Sequence, residues 1–343
     1  MVLAGGVGSR FWPVSTPSRP KQILPLASDR PLIADTIERI RPLIPLDRVR
    51  VLTGEPYVEP IGRAADDLDE SHFLVEPHAR GTAPVLLWAA HHLVKADPDA
   101  IMVSLHADHV IQPDAAFREL VAAAALAADT HDRLFTIGVR PTRAETGYGY
   151  IRKGPALDRS GAHAVAAFIE KPDRDTARSY LESGDYLWNS GIFVWRAVRL
   201  LDEVLAVAPE LAGLLPLLDA GDVKEYFAVA PTLSIDHAVL ERSQRVGVMD
   251  ATFDWDDVGT WDAVARSRPT DAAGNVVQGV AELVESSGCV VWNEADEPVV
   301  VFGAEDLVVV RVQSVTLVLP RQRAADLKTL LDALPAGVRE VDG

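Results

Sequence analysis

The chain opens Val2-Leu3-Ala4-Gly5-Gly6-Val7-Gly8-Ser9-Arg10-Phe11-Trp12-Pro13, and Pro20-Lys21-Gln22 follows a few residues later. Two apolar residues run into three glycines within four positions, and an arginine and a lysine arrive before the first helical pattern. Glycines let a backbone approach a pyrophosphate closely and turn several N–H groups toward it, while Arg10 and Lys21 would add charge-assisted hydrogen bonds. The same glycines would equally serve a tight turn with no ligand. Two common phosphate-loop patterns do not fit: one needs Gly-Lys-Ser/Thr after its spacer, the other a small residue where Phe11 stands.

Outward from this loop the pattern alternates. Ile33 to Ile44 reads as helix, Val49 to Thr53 as a short strand, Pro56 to Leu68 as a helix begun with proline, and Phe73 to Glu76 as a strand. Thr82 to Lys95 reads as a helix apolar nearly all round, Ile101 to Leu105 as a buried strand, and Ala115 to Ala128 as an alanine-rich helix. Such alternation indicates right-handed crossovers and a doubly wound α/β domain, mixed but mostly parallel. Ligands of these sheets sit outside the carboxyl ends of the strands, the edge at which the glycine loop lies. Only Met1, Val2, Leu3 and Ala4 precede the glycines, where a central strand would have about five or six residues. We expect either a true N-terminus upstream of Met1, which a native mass above that of 343 residues would reveal, or a short strand propped by its neighbours.

The composition of 343 residues is 48% hydrophobic, enough for one large domain and a smaller one. The net charge of −17 argues against nucleic-acid or anionic-membrane partners, which basic patches recognise. The one cysteine, Cys289, excludes an intramolecular disulfide framework and fits a reducing cytoplasm. No apolar run is long enough to span a bilayer, and no signal peptide precedes Leu3.

Asp108 lies just past the strand Ile101 to Leu105, at the same rim as the glycine loop. It reads as a helix cap or turn residue, or as a ligand of a magnesium ion bridging phosphate oxygens. His106 and His109 read as local packing rather than zinc ligands, since no further His or Cys lies at metal spacing. In Glu76-Pro77-His78-Ala79-Arg80-Gly81-Thr82-Ala83-Pro84, Thr82 is placed as a helix N-cap. Further on come Glu145-Thr146-Gly147-Tyr148-Gly149-Tyr150, Phe168-Ile169-Glu170-Lys171-Pro172 and Leu187-Trp188-Asn189-Ser190-Gly191, in a more antiparallel region. Singly these are turns and a strand end. Together, Glu170 and Asn189 can pair with sugar hydroxyls, Lys171 with a phosphate, and Gly147 with a closely approaching backbone. Ser234 to Glu241 is helix-like; Asp236 stands near the start of that helix, and no chemistry is assigned to it. In Phe253-Asp254-Trp255-Asp256-Asp257-Val258-Gly259-Thr260-Trp261-Asp262, crowded acids call for relief by cations or solvent.

As a whole string, Arg10 to Gln22 resembles the signature of the sugar-1-phosphate nucleotidyltransferases, and its Trp12-Pro13 and Pro20-Lys21-Gln22 look like the mannose-1-phosphate guanylyltransferases. The Glu76 to Pro84 stretch resembles their Glu-Pro-x-x-x-Asn-Thr-Ala-Pro segment, which lines the base pocket, with Gly81 where asparagine is usual; His106 likewise replaces a common proline. The Trp-x-Asp-x-Gly-x-Trp pattern singles out Asp257 rather than Asp256. The resemblance covers nearly the whole chain. It implies GTP plus α-D-mannose 1-phosphate giving GDP-mannose and pyrophosphate. The implied roles are Arg10 and Lys21 in catalysis; Leu3, Ala4, Gly5, Gly6, Gly8, Thr82 and Ala83 at the nucleotide; Gly147, Glu170, Lys171 and Asn189 at the sugar phosphate; and Asp108 with Asp257 on Mg2+. A catalytic domain over 1–268 would precede a small β-rich domain over 269–343, β-helix-like in the family and part of a homodimer. No clean hexapeptide repeat is visible, and a helix from Gln322 to Leu334 closes the chain. The chain ends before any appended isomerase domain, so a single activity is expected. The alternatives are another sugar 1-phosphate and nucleotide pair, or a catalytically silent subunit that binds nucleotide sugars.

Overall fold

The computed structural model describes residues 1–339. Nine strands form one mixed sheet: β1 (Val2–Leu3), β2 (Val51–Gly54), β3 (Phe73–Glu76), β4 (Ile101–His106), then, after the short β5 (Val110–Gln112) outside it, β6 (Leu134–Val139), β7 (Tyr150–Ala156), β8 (His163–Ile169), β9 (Tyr186–Arg196) and β10 (Val246–Asp250). Their order is β3-β2-β1-β4-β9-β6-β10-β8-β7. The first four are parallel; β9 then runs antiparallel to both β4 and β6, and β7 pairs antiparallel with β8 and β9.

The parallel half follows from its sequence. Helices α1 (Leu32–Ile40), α2 (Glu55–Ala64), α3 (Thr82–Ala96) and α4 (Asp114–His131) link or flank its strands. Proline near the start of α2 fits a first turn whose N–H groups lack helical partners. The alanine-rich α4 buries Phe117, Leu120, Val121 and Ala124 against β4 and β6. Strand β1 is only two residues long, and its neighbours prop it: Val2 pairs with Val51 and Leu105, Leu3 with Leu52 and His106. The Met1 ammonium donates to the Val103 carbonyl at 2.7 Å, and burial pulls its pKa down to about 5.

A two-stranded ribbon of β5 with β11 (Asp254–Asp256) leads into the helix Trp261–Ser267. Beyond it lie β12 (Val276–Gln278), β13 (Ala281–Val284), β14 (Val290–Asn293), β15 (Val299–Phe302), β16 (Leu307–Val312) and β17 (Val315–Pro320). Strands β12, β14 and β16 stack in parallel, as do β13 and β15, and β17 folds back antiparallel on β16. Val276 faces Val290, 14 residues on, whereas Ala281 faces Val299 and Val290 faces Val308, each 18 residues on, so the coils differ in length. This parallel coil is the β-helix that the sequence did not display as a repeat. The closing segment is a 3-10 turn, Arg321–Asp326, followed by a helix, Leu327–Ala333.

The second unit is not a separate bead. Phe11, Trp12 and Val14 share one apolar cluster with Val258, Trp261, Trp292, Val308 and Leu327. Phe11 meets Trp261 edge to face at 5.2 Å, and Trp261 meets Trp292 at 5.6 Å. Arg19 closes the seam from outside by pairing with Glu294 at 2.6 Å. The glycine loop is thus wedged between the sheet and the β-helix.

Candidate functional site

After β1 the chain crosses the strand edge and folds back. Gly8 makes the fold possible: its φ is +74°, and a Cβ there would overlap Cβ of Lys21. Ser15 Oγ donates to the Gly8 carbonyl at 2.6 Å, and the Lys21 N–H to the Val7 carbonyl at 3.0 Å. Lys21 is thereby carried inward until it is only 6% exposed. Its Nζ donates to Asp108 Oδ2 and to the backbone carbonyl of Asp257, each at 2.7 Å. One ammonium gathers two acids that lie far apart in sequence. The Asp257 carboxylate is aimed by Tyr148, whose hydroxyl donates to Oδ1 at 2.6 Å. Val258, which follows, is held at φ +45°, a strained geometry for a β-branched residue and one that clusters at functional sites.

Burial is the largest single influence on the Asp108 carboxyl and pushes it up, but the Lys21 ammonium, the neighbouring His109 and His106 rings and the Lys21 hydrogen bond together hold the group well below the usual carboxylate range. Asp257 is pushed up by burial, with the nearby carboxylates adding to it, and Tyr148 is kept protonated by burial and by Asp257. Burial also lowers His106 and His109, so both imidazoles are neutral at pH 7. Their rings stack at 4.6 Å, and His109 Nδ1 accepts from Trp255 Nε1 at 3.1 Å. His106, Asp108 and His109 form one group of potential metal donors, within 4.8 Å of one another. The oxygen donors nevertheless suit a hard cation: Asp108 keeps 31% of its side chain exposed with Oδ1 uncommitted, and Asp257 Oδ2 is likewise unpaired among the described residues. Arg10 is exposed beside the loop and has no hydrogen bond or ion pair among the described residues.

A cavity of about 290 Å3 opens between the glycine loop and the start of α3, lined by Leu3, Ala4, Gly6, Gln22, Glu76 and Thr82 among others. Gly5 belongs to it as well, with Glu76 Oε1 3.3 Å from where its Cβ would stand. Gln22 Nε2 and Thr53 Oγ1 both donate to the Ala4 carbonyl, at 2.9 and 2.8 Å, which fixes the exit of β1. Burial pushes the Glu76 carboxyl up to about 7. One expectation is corrected here. Thr82 is not the N-cap; Gly81 is, with φ +80°, and a Cβ there would come within 2.6 Å of the Leu233 carbonyl oxygen. That close passage explains why a residue with a side chain is absent at this position. The Thr82 hydroxyl instead accepts from the Ile235 N–H at 2.9 Å. Ala83 lies in the core with its N–H on the Leu233 carbonyl at 3.0 Å, beneath the cavity rather than in its lining.

In the antiparallel half, Glu170, Lys171 and Asn189 converge around Tyr148 and Gly149. Glu170 is nearly buried and pairs with Lys171 Nζ at 2.8 Å, while the Asn189 N–H donates to the Gly149 carbonyl at 2.8 Å. The Gly147 N–H is already committed to Glu145 Oε1 at 3.0 Å, so this glycine offers open backbone rather than a free donor. Asp236, to which the sequence assigned nothing, accepts from Asn189 Nδ2 at 2.9 Å. Gln22, Glu76 and Tyr148 are further members that only their place within quoted motifs could have indicated. A larger cavity, about 680 Å3, lies behind Asp256 and is lined by Arg140, Arg143 and Trp188; it is not the one onto which the glycine loop opens.

Comparison with known proteins shows the family. The nucleotidyl transferase family model matches residues 1–273, and the mannose-phosphate isomerase/GMP-like β-helix domain model matches 274–334. Mannose-1-phosphate guanylyltransferases of Klebsiella pneumoniae and Escherichia coli are each 34% identical over 99% of this chain and 74% of their own length. A solved structure from Thermus thermophilus, described as a mannose-1-phosphate geranyltransferase, superposes with a TM-score of 0.87 at 35% identity, covering 97% of both chains.

Proposed function

Because the chain belongs to the mannose-1-phosphate guanylyltransferases of the nucleotidyl transferase family, we propose that it transfers the GMP moiety of GTP to α-D-mannose 1-phosphate, giving GDP-mannose and pyrophosphate. The observation that carries this reading is the Lys21 ammonium, held between Asp108 and Asp257 at the mouth of the glycine loop. The sugar phosphate oxygen attacks the α-phosphorus in line as pyrophosphate leaves. A phosphate monoester with a second pKa near ~6 is already ionised at pH 7. No general base is required, and catalysis reduces to alignment and charge neutralisation.

The glycine loop and Arg10 would take the leaving pyrophosphate, and Lys21 the reacting phosphoryl group. The cavity bounded by Glu76 and Gln22 would take the base: a carboxylate facing inward matches the adjacent N–H donors of guanine. Glu170, Lys171 and Asn189 would hold the sugar phosphate. Asp108 and Asp257 have the oxygen chemistry to hold Mg2+, which when bound supplies further neutralisation of phosphate charge. We further propose a cytoplasmic homodimer. One cysteine suits a reducing compartment, no described helix is long and apolar enough to cross a membrane, and exposed Val284, Val300 and Phe302 offer an apolar face on the β-helix. The test is pyrophosphate release with Mg2+ across four nucleoside triphosphates and mannose, glucose and galactose 1-phosphates. GTP with mannose 1-phosphate should be preferred by at least ~100-fold, the discrimination expected of paired buried polar groups. A different preferred pair would overturn the substrate assignment, and no turnover while GDP-mannose binds would indicate a sensor.

A further inference from the structure

The segment Leu233 to Asp236 lies against both substrate pockets. On one side it is laced to the wall of the base cavity: the Leu233 N–H donates to the Arg80 carbonyl, Ala83 N–H to the Leu233 carbonyl, and Ile235 N–H to Thr82 Oγ1, at 3.0, 3.0 and 2.9 Å. On the other side Asp236 meets Asn189. It also starts a π-helical turn, Asp236–Leu240, a rare element that tends to occur at functional sites.

The contact fixes the Asn189 amide in one orientation. Its Oδ1 faces two donors, Thr136 Oγ1 at 2.9 Å and the Gly191 N–H at 3.3 Å, while Nδ2 faces the Asp236 carboxyl. Flipping the amide would set its oxygen against a carboxyl group and its NH2 against the Gly191 N–H. Glu170 approaches from the other side: its Oε2 is 2.5 Å from where a Cβ on Gly149 would stand, and Asn189 Cβ is 3.3 Å from the same point. Two carboxyl groups, an amide and a bare glycine therefore converge on one spot. That donor and acceptor set suits a polyol. Asp236 sits there despite a penalty, since burial and the Glu170 charge push its carboxyl up to about 7.

Resting on the function proposed above, we propose that Asp236 is a positioning residue for the hexose of the sugar phosphate: it locks the Asn189 amide so that the second Nδ2 hydrogen and the Glu170 carboxylate are presented together to sugar hydroxyls. Through Leu233 and Ile235 the same segment ties this arrangement to the wall of the base cavity, so the two pockets keep a fixed separation.

The test reads the sugar's contribution to binding without turnover. Affinities of GDP-mannose and of GDP are measured by calorimetry for the native protein and for Asp236→Ala, Asp236→Asn and Asn189→Ala. Asp236→Ala should weaken GDP-mannose about tenfold or more, the effect of losing a hydrogen bond to a charged group, and leave GDP within about twofold, a change too small to count as a lost hydrogen bond. Asp236→Asn, which keeps an acceptor oxygen, should restore most of the loss and guards against a variant that fails to fold. Asn189→Ala with Asp236→Ala should be no worse than either alone, because the pair acts as a unit. Equal weakening of GDP and GDP-mannose would reduce Asp236 to a structural residue and overturn the inference, as would no change in either. Failure of the function is read separately: a native enzyme that turns over only another nucleotide and sugar pair refutes that reading, and the same comparison with that pair's product then decides for or against Asp236.

Discussion

Replacing Lys21 by methionine removes the charge while keeping most of the volume. At 2.7 Å, with an effective dielectric constant of about 20, the attraction between Lys21 and Asp108 is roughly 6 kcal/mol before desolvation. The two ends are unequally buried, Lys21 at 8% and Asp108 at 31% side-chain exposure, which places the pair between a surface bridge of about 0–1 kcal/mol and a buried one whose breakage costs about 3–5. Lys21→Met should therefore destabilise by about 2 kcal/mol, through a stranded Asp108 carboxylate and an unpaired Asp257 carbonyl. Asp108→Asn should cost less, about 1 kcal/mol, because the ammonium keeps an amide oxygen and the carbonyl. The double variant removes the stranded charge, so its loss should fall short of the sum by about 1 kcal/mol. Each single variant should lower kcat at least ~100-fold, the scale of losing one electrostatic stabiliser, and the double should lie within about tenfold of the worse single variant. Urea unfolding and pyrophosphate release measure both cycles. Strict additivity in both, or a near-normal kcat in either single variant, would refute the argument that one ammonium organises both acids.

Other substitutions probe the surroundings. Gly8→Ala puts a Cβ at φ +74° and into Lys21, so it should cost about 1–3 kcal/mol in unfolding, lower kcat and raise the KM for GTP; urea melts and steady-state kinetics check this. Glu76 carries a pKa raised to about 7, so the folded state retains a proton that the unfolded chain has already lost. Its contribution to folding is present below pH ~4.5 and is lost as pH rises through about 7. Glu76→Gln should shrink the stability lost between pH 5 and pH 8 in urea melts, and should relax the preference for GTP over ATP in the release assay; an unchanged pH dependence would contradict the burial argument. Trp292→Ala opens the cluster behind the glycine loop and should cost about 3–5 kcal/mol. Its kcat should fall as well, although Trp292 touches no substrate, and circular dichroism melts with turnover at 20 °C test the link.

The parallel half of the sheet was legible because each of its elements carries its own signal, from the β-branched run at Val51 to the apolar helix beginning at Thr82. Asp108, Asp257 and Lys21 were singled out by position and motif, but that one ammonium draws the two aspartates together was not readable from the sequence. What stayed hidden depends on contacts distant in sequence. Thr82 looks like a cap until Leu233 passes so close to Gly81 that only a glycine fits. Asp236 looks like a surface acid until folding sets it against Asn189, 47 positions away. The β-helix escaped because its coils are unequal, 14 residues from Val276 to Val290 and 18 from Val290 to Val308, so valines align on valines with no fixed period in the sequence.

The wedge of the glycine loop between sheet and β-helix also bears on how the protein is made. Phe11 and Trp12 leave the ribosome well before Trp292, Val308 and Leu327, against which they are buried. At about 5–20 residues per second, some 300 intervening residues take roughly 15 s to a minute. Throughout that time the parallel sheet can form, but the loop that carries Lys21 has no back wall. The loop therefore gains its back wall only once the β-helix has emerged, and a chain that stops short of it keeps the sheet without a completed site.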